Sequence, residues 1–208
     1  MRTKIVCWDW NGTLLDDVDI CRAVMNQVLS ERDRSQFASL ESYRRTFRFP
    51  IRQFYADAGI AEEEFVPAAN RYLLLLEQAI LSAQLRPDAR TTLSELARRG
   101  VPQILASATV TDVLHRQLQP HAIVDAFDEV LSITDAHAAS KAEVIAEWMS
   151  RADVGPRDVL LVGDTNHDRE IADALGTRFV HCAFGHQDLS ADPDLESIEA
   201  LSEVLALV

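Results

Sequence analysis

Several stretches of this sequence carry side chains suited to a charged substrate. Asp9-Trp10-Asn11-Gly12-Thr13 follows a short apolar run, Ile5–Trp8, and Gly163-Asp164-Thr165-Asn166-His167-Asp168 follows another, Val159–Val162. Ser107 and Ala108 stand at the end of a third run, and Lys141 opens an amphipathic stretch leading toward Val159. Aspartates brought together from separate strand ends repel each other unless a cation lies between them. Their hard oxygens suit Mg2+, which binds through one or two carboxylates and takes phosphate oxygens as further ligands. Gly12 permits a sharp turn, so that amides after Asp9 can face an anion. With Lys141 as a point charge and Ser107 as a hydroxyl donor, such a group would stabilise the spread charge of a phosphoryl group in transfer.

Those residues meet only if the elements carrying them form an open sheet. Apolar runs of four to eight residues alternate with amphipathic stretches, which predicts a parallel α/β sheet with crossover helices. Strands are expected at Ile5–Trp8, Val101–Ala106, Glu129–Ile133, Val159–Val162 and Arg178–Ala183. Helices are expected at Ala89–Arg99, ended by Gly100, and at His167–Leu175, ended by Gly176. In such a sheet ligands bind beyond the carboxyl ends of the strands, where Asp9, Ser107 and Asp164 stand. More than one crossover's worth of chain separates the first two strands, and its pattern is helical: Ile20–Ser30, Leu40–Thr46, Ile51–Ala58 and Glu62–Leu81. Residues 16–86 therefore read as a small α-helical cap on a core made of 1–15 and 87–208, with hinges near Leu14–Asp17 and Leu85–Pro87. A short helix is expected at Ser197–Leu207.

With 208 residues and about 150 per domain, one domain with an insert is expected. The 33 acidic against 20 basic residues give a net charge of -13, which opposes nucleic-acid or anionic-membrane binding and leaves a small anionic metabolite as the expected partner. Cys7, Cys21 and Cys182 have no metal-site spacing and read as reduced thiols, which places the chain in the cytoplasm. Met1-Arg2-Thr3-Lys4 leads straight into the first strand and fits no export signal. Monomer and homodimer both remain open.

The ordered set Asp9-Trp10-Asn11-Gly12-Thr13, Ser107, Lys141 and Gly163-Asp164-x-x-x-Asp168 resembles the four motifs of the haloacid dehalogenase superfamily, over residues 4 to about 188. The helical segment lies where members with a type-1 cap carry theirs. Tyr43–Gly59 and the phasing of Gly185-His186 resemble the phosphoglycolate phosphatase-like subgroup. The resemblance implies a Rossmann-like core and a Mg2+-dependent phosphatase. Asp9 would be the nucleophile that forms an aspartyl-phosphate. Ser107, Ala108, Lys141, Gly12 and Thr13 would hold the phosphoryl oxygens. Asp9, the Asn11 carbonyl and Asp164 would bind the metal, and Asp168 would act through water or orient Lys141.

Asn11 departs from the pattern, because members that hydrolyse phosphate esters carry an aspartate there as general acid and base. An amide has no proton to exchange near neutral pH, and such help is worth about 10²–10⁴-fold. The expectation is a slow phosphatase, one limited to good leaving groups, or one borrowing an acid such as His167 or a cap residue. Asn11→Asp is then expected to raise turnover on an unactivated ester. A non-catalytic phosphate-binding or regulatory protein is the alternative, although Asp9, Lys141, Asp164 and Asp168 are all retained. A 2-haloacid dehalogenase would tolerate Asn11, but that branch lacks the carboxylate of Asp164. A phosphonate hydrolase needs a cap lysine, and residues 16–86 contain none.

Plainer readings stand beside these. Asp164 and Asp168 could cap a helix, Lys141 could be a solvated helix lysine, and Thr109 competes with Ser107. His181 and His186 read as surface or core filler, and Trp10 as packing or as a substrate neighbour. Arg44, Arg45, Arg48 and Arg52 read as a solvated face or as a positive cap surface. Leu73–Leu76 reads as cap core or a dimer face.

Overall fold

The computed structural model describes residues 5–134 and 140–208. The readings placed on Met1–Lys4, the start of the core and the lack of an export signal, lie outside the described residues. In chain order the strands are β1 (Ile5–Trp8), β2 (Leu15–Asp16), β3 (Gln84–Leu85), β4 (Gln103–Val110), β5 (Glu129–Ile133), β6 (Val159–Gly163), β7 (Arg178–Cys182) and β8 (Ser197–Ile198). The helices are α1 (Val18–Ser30), α2 (Leu40–Thr46), α3 (Ile51–Asp57), α4 (Phe65–Ala79), α5 (Ala89–Arg98), α6 (Thr111–Leu118), α7 (Lys141–Arg151) and α8 (Asn166–Leu175).

Six strands form one parallel sheet in the order β5-β4-β1-β6-β7-β8. Alternation along each strand sorts its side chains between two faces. Val6, Trp8, Leu105, Leu160 and Val162 pack on one face, while Cys7, Ile104, Ala106, Val159 and Leu161 pack on the other. Both faces are covered, so the central strands read as unbroken apolar runs. This is the Rossmann-like α/β arrangement, and it brings the ends of β1, β4 and β6 side by side.

Two expectations about these elements change. The second strand was expected at Val101–Ala106 but runs over Gln103–Val110, because the chain stays paired to β5 beyond Ser107 through a register shift. The terminal segment is not one helix. Ser197–Ile198 extends the sheet beside β7, and Leu201–Ala206 then forms a 3-10 helix. Ile198, Leu201 and Val204 all reach the same core at steps of three, the repeat of a 3-10 turn.

The helices α1 to α4 share an apolar cluster of their own. Val18, Cys21, Met25, Val28 and Leu29 of α1 meet Tyr43, Phe54, Tyr55 and Ala68 there, at the three-and-four spacing of a single helix face. Leu75 and Leu76 pack against buried apolar side chains, whereas Leu73 and Leu74 are each 61% exposed. The two chain crossings between this helical layer and the sheet form a short antiparallel ribbon, Leu15 opposite Leu85 and Asp16 opposite Gln84. Arg86 pins it, pairing Nη1 with Asp16 Oδ1 at 2.8 Å. Among the described residues, no helix is long and apolar enough to cross a membrane.

Candidate active site

Asp9 is the first residue beyond β1, and its N–H donates to the Val162 carbonyl of β6 at 2.8 Å. Lys141 is the first residue of α7, whose N-cap Ser140 accepts from Glu143 N. From there its buried ammonium donates to Asp9 Oδ1 at 2.5 Å and to Asp168 Oδ1 at 2.6 Å. Asp168 lies in the first turn of α8, and its Oδ2 accepts from Thr165 N and Oγ1. Both of its oxygens are thus engaged, one of them in orienting Lys141. Asp164 Oδ2 accepts the His186 N–H at 2.5 Å, and Thr13 Oγ1 donates to Oδ1 at 3.4 Å. Carboxylate oxygens of Asp9, Asp164 and Asp168 lie within 4.8 Å of one another, all buried.

Two glycines permit this crowding. A Cβ on Gly12, whose φ is +75°, would fall onto the Asp164 carboxylate and the His186 ring, and one on Gly185 would fall onto Asp164. No larger residue fits either place while Asp164 keeps its position.

Burial pushes Asp9 up to about 8, with Lys141 pulling it down and Asp168 and Asp164 adding to the rise. Burial likewise lifts Asp164 to about 6, with His186 opposing and Asp168 adding. Burial opposes the charged form of Asp168 too, but the Lys141 ammonium overcomes it and holds that carboxyl below its ordinary value. Lys141 reaches two of the three carboxylates, Asp9 and Asp168. A divalent cation held by oxygen ligands would relieve the remaining excess of negative charge, and carboxylate oxygens suit Mg2+.

A second buried cluster is centred on Asp17 and meets the first where the His186 N–H reaches Asp164. Asp17, the N-cap of α1, is fully buried and accepts four hydrogen bonds. Gly12 N (2.7 Å) and His186 Nε2 (3.2 Å) reach Oδ1, while Asn11 Nδ2 (2.8 Å) and Cys21 Sγ (3.7 Å) reach Oδ2. The other end of the Asn11 amide, Oδ1, accepts from Thr109 Oγ1 at 3.2 Å. His186 Nδ1 meets the Tyr43 hydroxyl of α2 at 3.1 Å. Against the cost of burial, Asp17 and then Asp164 hold His186 above its ordinary value, and His186 with the Asn11 and Gly12 donors holds Asp17 below its own.

A model of the haloacid dehalogenase-like hydrolase family matches residues 6–182, a span running from β1 to β7. The chain belongs to this family. Solved structures agree on the fold of this haloacid dehalogenase-like hydrolase. A family protein from Streptococcus pneumoniae is 20% identical, with a TM-score of 0.81 over 98% of this chain and 97% of its own. A Lactobacillus plantarum protein assigned as a phosphoglycolate phosphatase is 18% identical, with a TM-score of 0.82 over all of both chains. Protein Tyrosine Kinase A of Mycobacterium tuberculosis is 18% identical, with a TM-score of 0.81 over 99% of this chain and 98% of its own. At such identities the likeness speaks for the fold alone. No curated protein matches the sequence.

In this haloacid dehalogenase-like hydrolase the residues read from sequence do not all stand alike. Asp9, Lys141, Asp164 and Asp168 converge. Ser107 is buried, and its Oγ accepts from Thr109 N at 3.1 Å, leaving its own proton free to donate. Ala108 is exposed at the end of β4. The Gly12 N–H points to Asp17 rather than outward. Trp10 is packing: it is fully buried with Nε1 on Gln117 Oε1. Arg45, Arg48 and Arg52 pair with Glu41, Asp57 and Glu62, and Arg44 donates to the Ala183 carbonyl.

Asp17, Tyr43 and the true place of His186 escaped the sequence reading. His186 is no filler. It follows Gly185 in a loop pressed onto Asp164, and its partners are 143 and 169 residues away. The available signal was a second aspartate, Asp17, eight positions after Asp9 at a predicted hinge.

Proposed function

We propose that this chain is a Mg2+-dependent phosphomonoester hydrolase acting on a small phosphorylated metabolite of the cytoplasm through a phosphorylated Asp9. The observation that carries this reading is the Asp9–Lys141–Asp168 chain of 2.5 and 2.6 Å contacts, with Asp164 beside it.

Asp9, Asp164 and the Asn11 carbonyl would hold the ion. When bound it supplies charge neutralisation of the phosphoryl oxygens and of Asp9. Lys141 and the Ser107 hydroxyl hold phosphoryl oxygens, and Asp168 keeps Lys141 aimed. An Asp9 oxygen attacks phosphorus, and the ester bond breaks with its electron pair remaining on the departing oxygen. Water then attacks the aspartyl-phosphate, the phosphorus–Asp9 bond breaks, and the carboxylate and inorganic phosphate return. The helical layer acts as a cap, excluding water during the first half and admitting it in the second.

Mixing the protein with p-nitrophenyl phosphate and Mg2+ is expected to add one phosphoryl mass to the peptide bearing Asp9. Turnover that survives Asp9→Asn, or that ignores chelation of the metal, overturns the reading. Phosphate binding without phosphorylation would make the chain a regulatory binder instead.

A further inference from the structure

We propose that Asp17 fixes the direction of the Asn11 amide, so that Asn11 offers an N–H and never a lone pair to the departing oxygen, which suits this site to phosphates of acidic leaving groups: aryl, enol and acyl phosphates. The inference rests on the proposed reading of Asp9 as nucleophile, with position 11 facing the departing oxygen, and deepens it.

A carboxylate only accepts hydrogen bonds, and a primary amide has one end that donates and one that accepts. With Asp17 Oδ2 at 2.8 Å, the amide must turn its nitrogen to Asp17. Thr109 Oγ1 donates to Asn11 Oδ1 at 3.2 Å, but a hydroxyl can also accept, so Asp17 is the group that sets the direction. Asp17 is itself held in place by its surroundings. It is fully buried at the start of α1 and is tied to Gly12 and His186 as well. Asn11 is only half-buried and its nitrogen carries a second hydrogen, which the bond to Asp17 leaves free.

That hydrogen can stabilise an oxygen leaving with the electron pair of the phosphorus–oxygen bond, but it cannot be transferred. The departing group therefore leaves as an anion and takes its proton from water. Aryloxide, enolate and carboxylate tolerate this, while a simple alkoxide does not. Asp17 is thus a positioning residue acting through Asn11. Asp17→Asn is close to isosteric and retains an acceptor for Gly12 and His186. It also sets a donor against Asn11 Nδ2, and the Asn11 amide relaxes by flipping, with its nitrogen then on Thr109 Oγ1.

The test measures kcat/KM of the full chain with Mg2+ on p-nitrophenyl, phenyl and n-propyl phosphate, for wild type, Asp17→Asn and Thr109→Val. This ratio reports departure of the leaving group, whereas kcat can be set by hydrolysis of the phosphorylated Asp9 common to all three. Wild type is expected to disfavour n-propyl phosphate by about 10²–10⁴-fold, the usual worth of the missing acid. Asp17→Asn is expected to lower kcat/KM on p-nitrophenyl phosphate about tenfold, as for the loss of one hydrogen bond to a charged oxygen. Its loss on phenyl phosphate should be larger. Thr109→Val leaves Asp17 to orient the amide and should leave the series nearly unchanged; a steepened series would show that Thr109 sets the direction instead, and this decides the matter if Asp17→Asn fails to fold.

Equal kcat/KM of wild type on the aryl and alkyl esters, or one common loss across the series for Asp17→Asn, overturns the proposal. A wild type without metal-dependent turnover overturns the phosphatase reading and the substrate class together. The Asn11 side-chain NH2 resonances in wild type and Asp17→Asn then show separately whether Asp17 orients the amide: shifted resonances uphold that part, and unshifted ones end it.

Discussion

Two buried polar clusters meet at the Asp164–His186 contact, and they are built on opposite plans. On one side Lys141 serves Asp9 and Asp168, with Asp164 alongside, all from the sheet core. On the other, Asp17, Asn11 and His186 join the first hinge, the loop after β1 and the loop after β7, and Tyr43 brings in the helical layer. The first cluster carries an excess of negative charge that the proposed cation would relieve. The second is already closed, with four donors on Asp17 and a partner on each ring nitrogen of His186. On the proposed function one side binds and reacts, and the other holds its neighbours still. Variants on the two sides should therefore fail differently.

The largest effect is expected at Asp9, the proposed nucleophile. Asp9→Asn removes the attacking oxyanion, and turnover should fall by at least about 10⁴-fold. Folding should survive, because the amide carbonyl still accepts from Lys141, and the melting temperature measured beside kcat checks this. A variant that loses activity only by unfolding would break the division between a reacting side and a holding side.

Lys141→Met comes next and should fail in both ways. It leaves Asp9 and Asp168 buried without their cation, which costs about 3–5 kcal/mol. Thermal or urea unfolding reads that loss. The surviving folded fraction should also bind inorganic phosphate more weakly, since Lys141 is the buried cation beside Asp9.

How much of each side could be read in the sequence follows from the same difference. Asp9, Lys141, Asp164 and Asp168 each stand just beyond a strand or in the first turn of a helix, and Ser107 follows the apolar part of β4, so locating the elements located the residues. The sheet was legible because both of its faces are covered, which leaves continuous apolar runs such as Val159-Leu160-Leu161-Val162. β8 was missed because two residues carry no period, and its neighbours Leu201 and Val204 look equally helical. The Asp17–His186 contact spans 169 residues and depends on how the loop after β7 folds over Gly12. No local spacing encodes that. Asn11 was visible as an anomaly, but its partner was not.

The anomaly yields a sharper prediction at position 11. From the sequence alone, Asn11→Asp is expected to raise turnover by restoring a carboxylate. In the structure that carboxylate would stand about where Asn11 Nδ2 now lies, 2.8 Å from Asp17 Oδ2. Two carboxyl groups at such range, one of them fully buried, share a single proton. That proton is held between them rather than offered to the departing oxygen, so Asn11→Asp alone is expected to lose turnover, by about tenfold, as the amide's free N–H is lost. Adding Asp17→Asn restores a donor facing an acceptor with the direction reversed. The double variant should exceed Asn11→Asp on p-nitrophenyl phosphate and exceed wild type on n-propyl phosphate. If the single variant outperforms the double, the two positions are uncoupled and the holding side is mere packing.

The smallest effect is expected where the helical layer touches the holding side. Tyr43→Phe removes one hydroxyl from His186 Nδ1, worth about 0.5–1.5 kcal/mol. Its signature lies in the pH dependence. His186 is held above its ordinary value of 6.5, so its contribution to stability is complete below that pH and fades as pH rises through the raised value. Asp17 is held below its ordinary value of 3.8, so its share is complete above that pH and fades as pH falls through the depressed value. The pair is at full strength between the two ordinary values. When His186 is charged, its Nδ1–H donates to the Tyr43 oxygen. Phenylalanine leaves that proton buried and unpaired, which penalises the charged ring. Tyr43→Phe should accordingly move the alkaline edge of the window downward and leave the acid edge in place, as read from melting temperature against pH and from the His186 ring resonances. An unmoved alkaline edge would mean that the helical layer rests on His186 without influencing it, and the holding side would then end at the sheet.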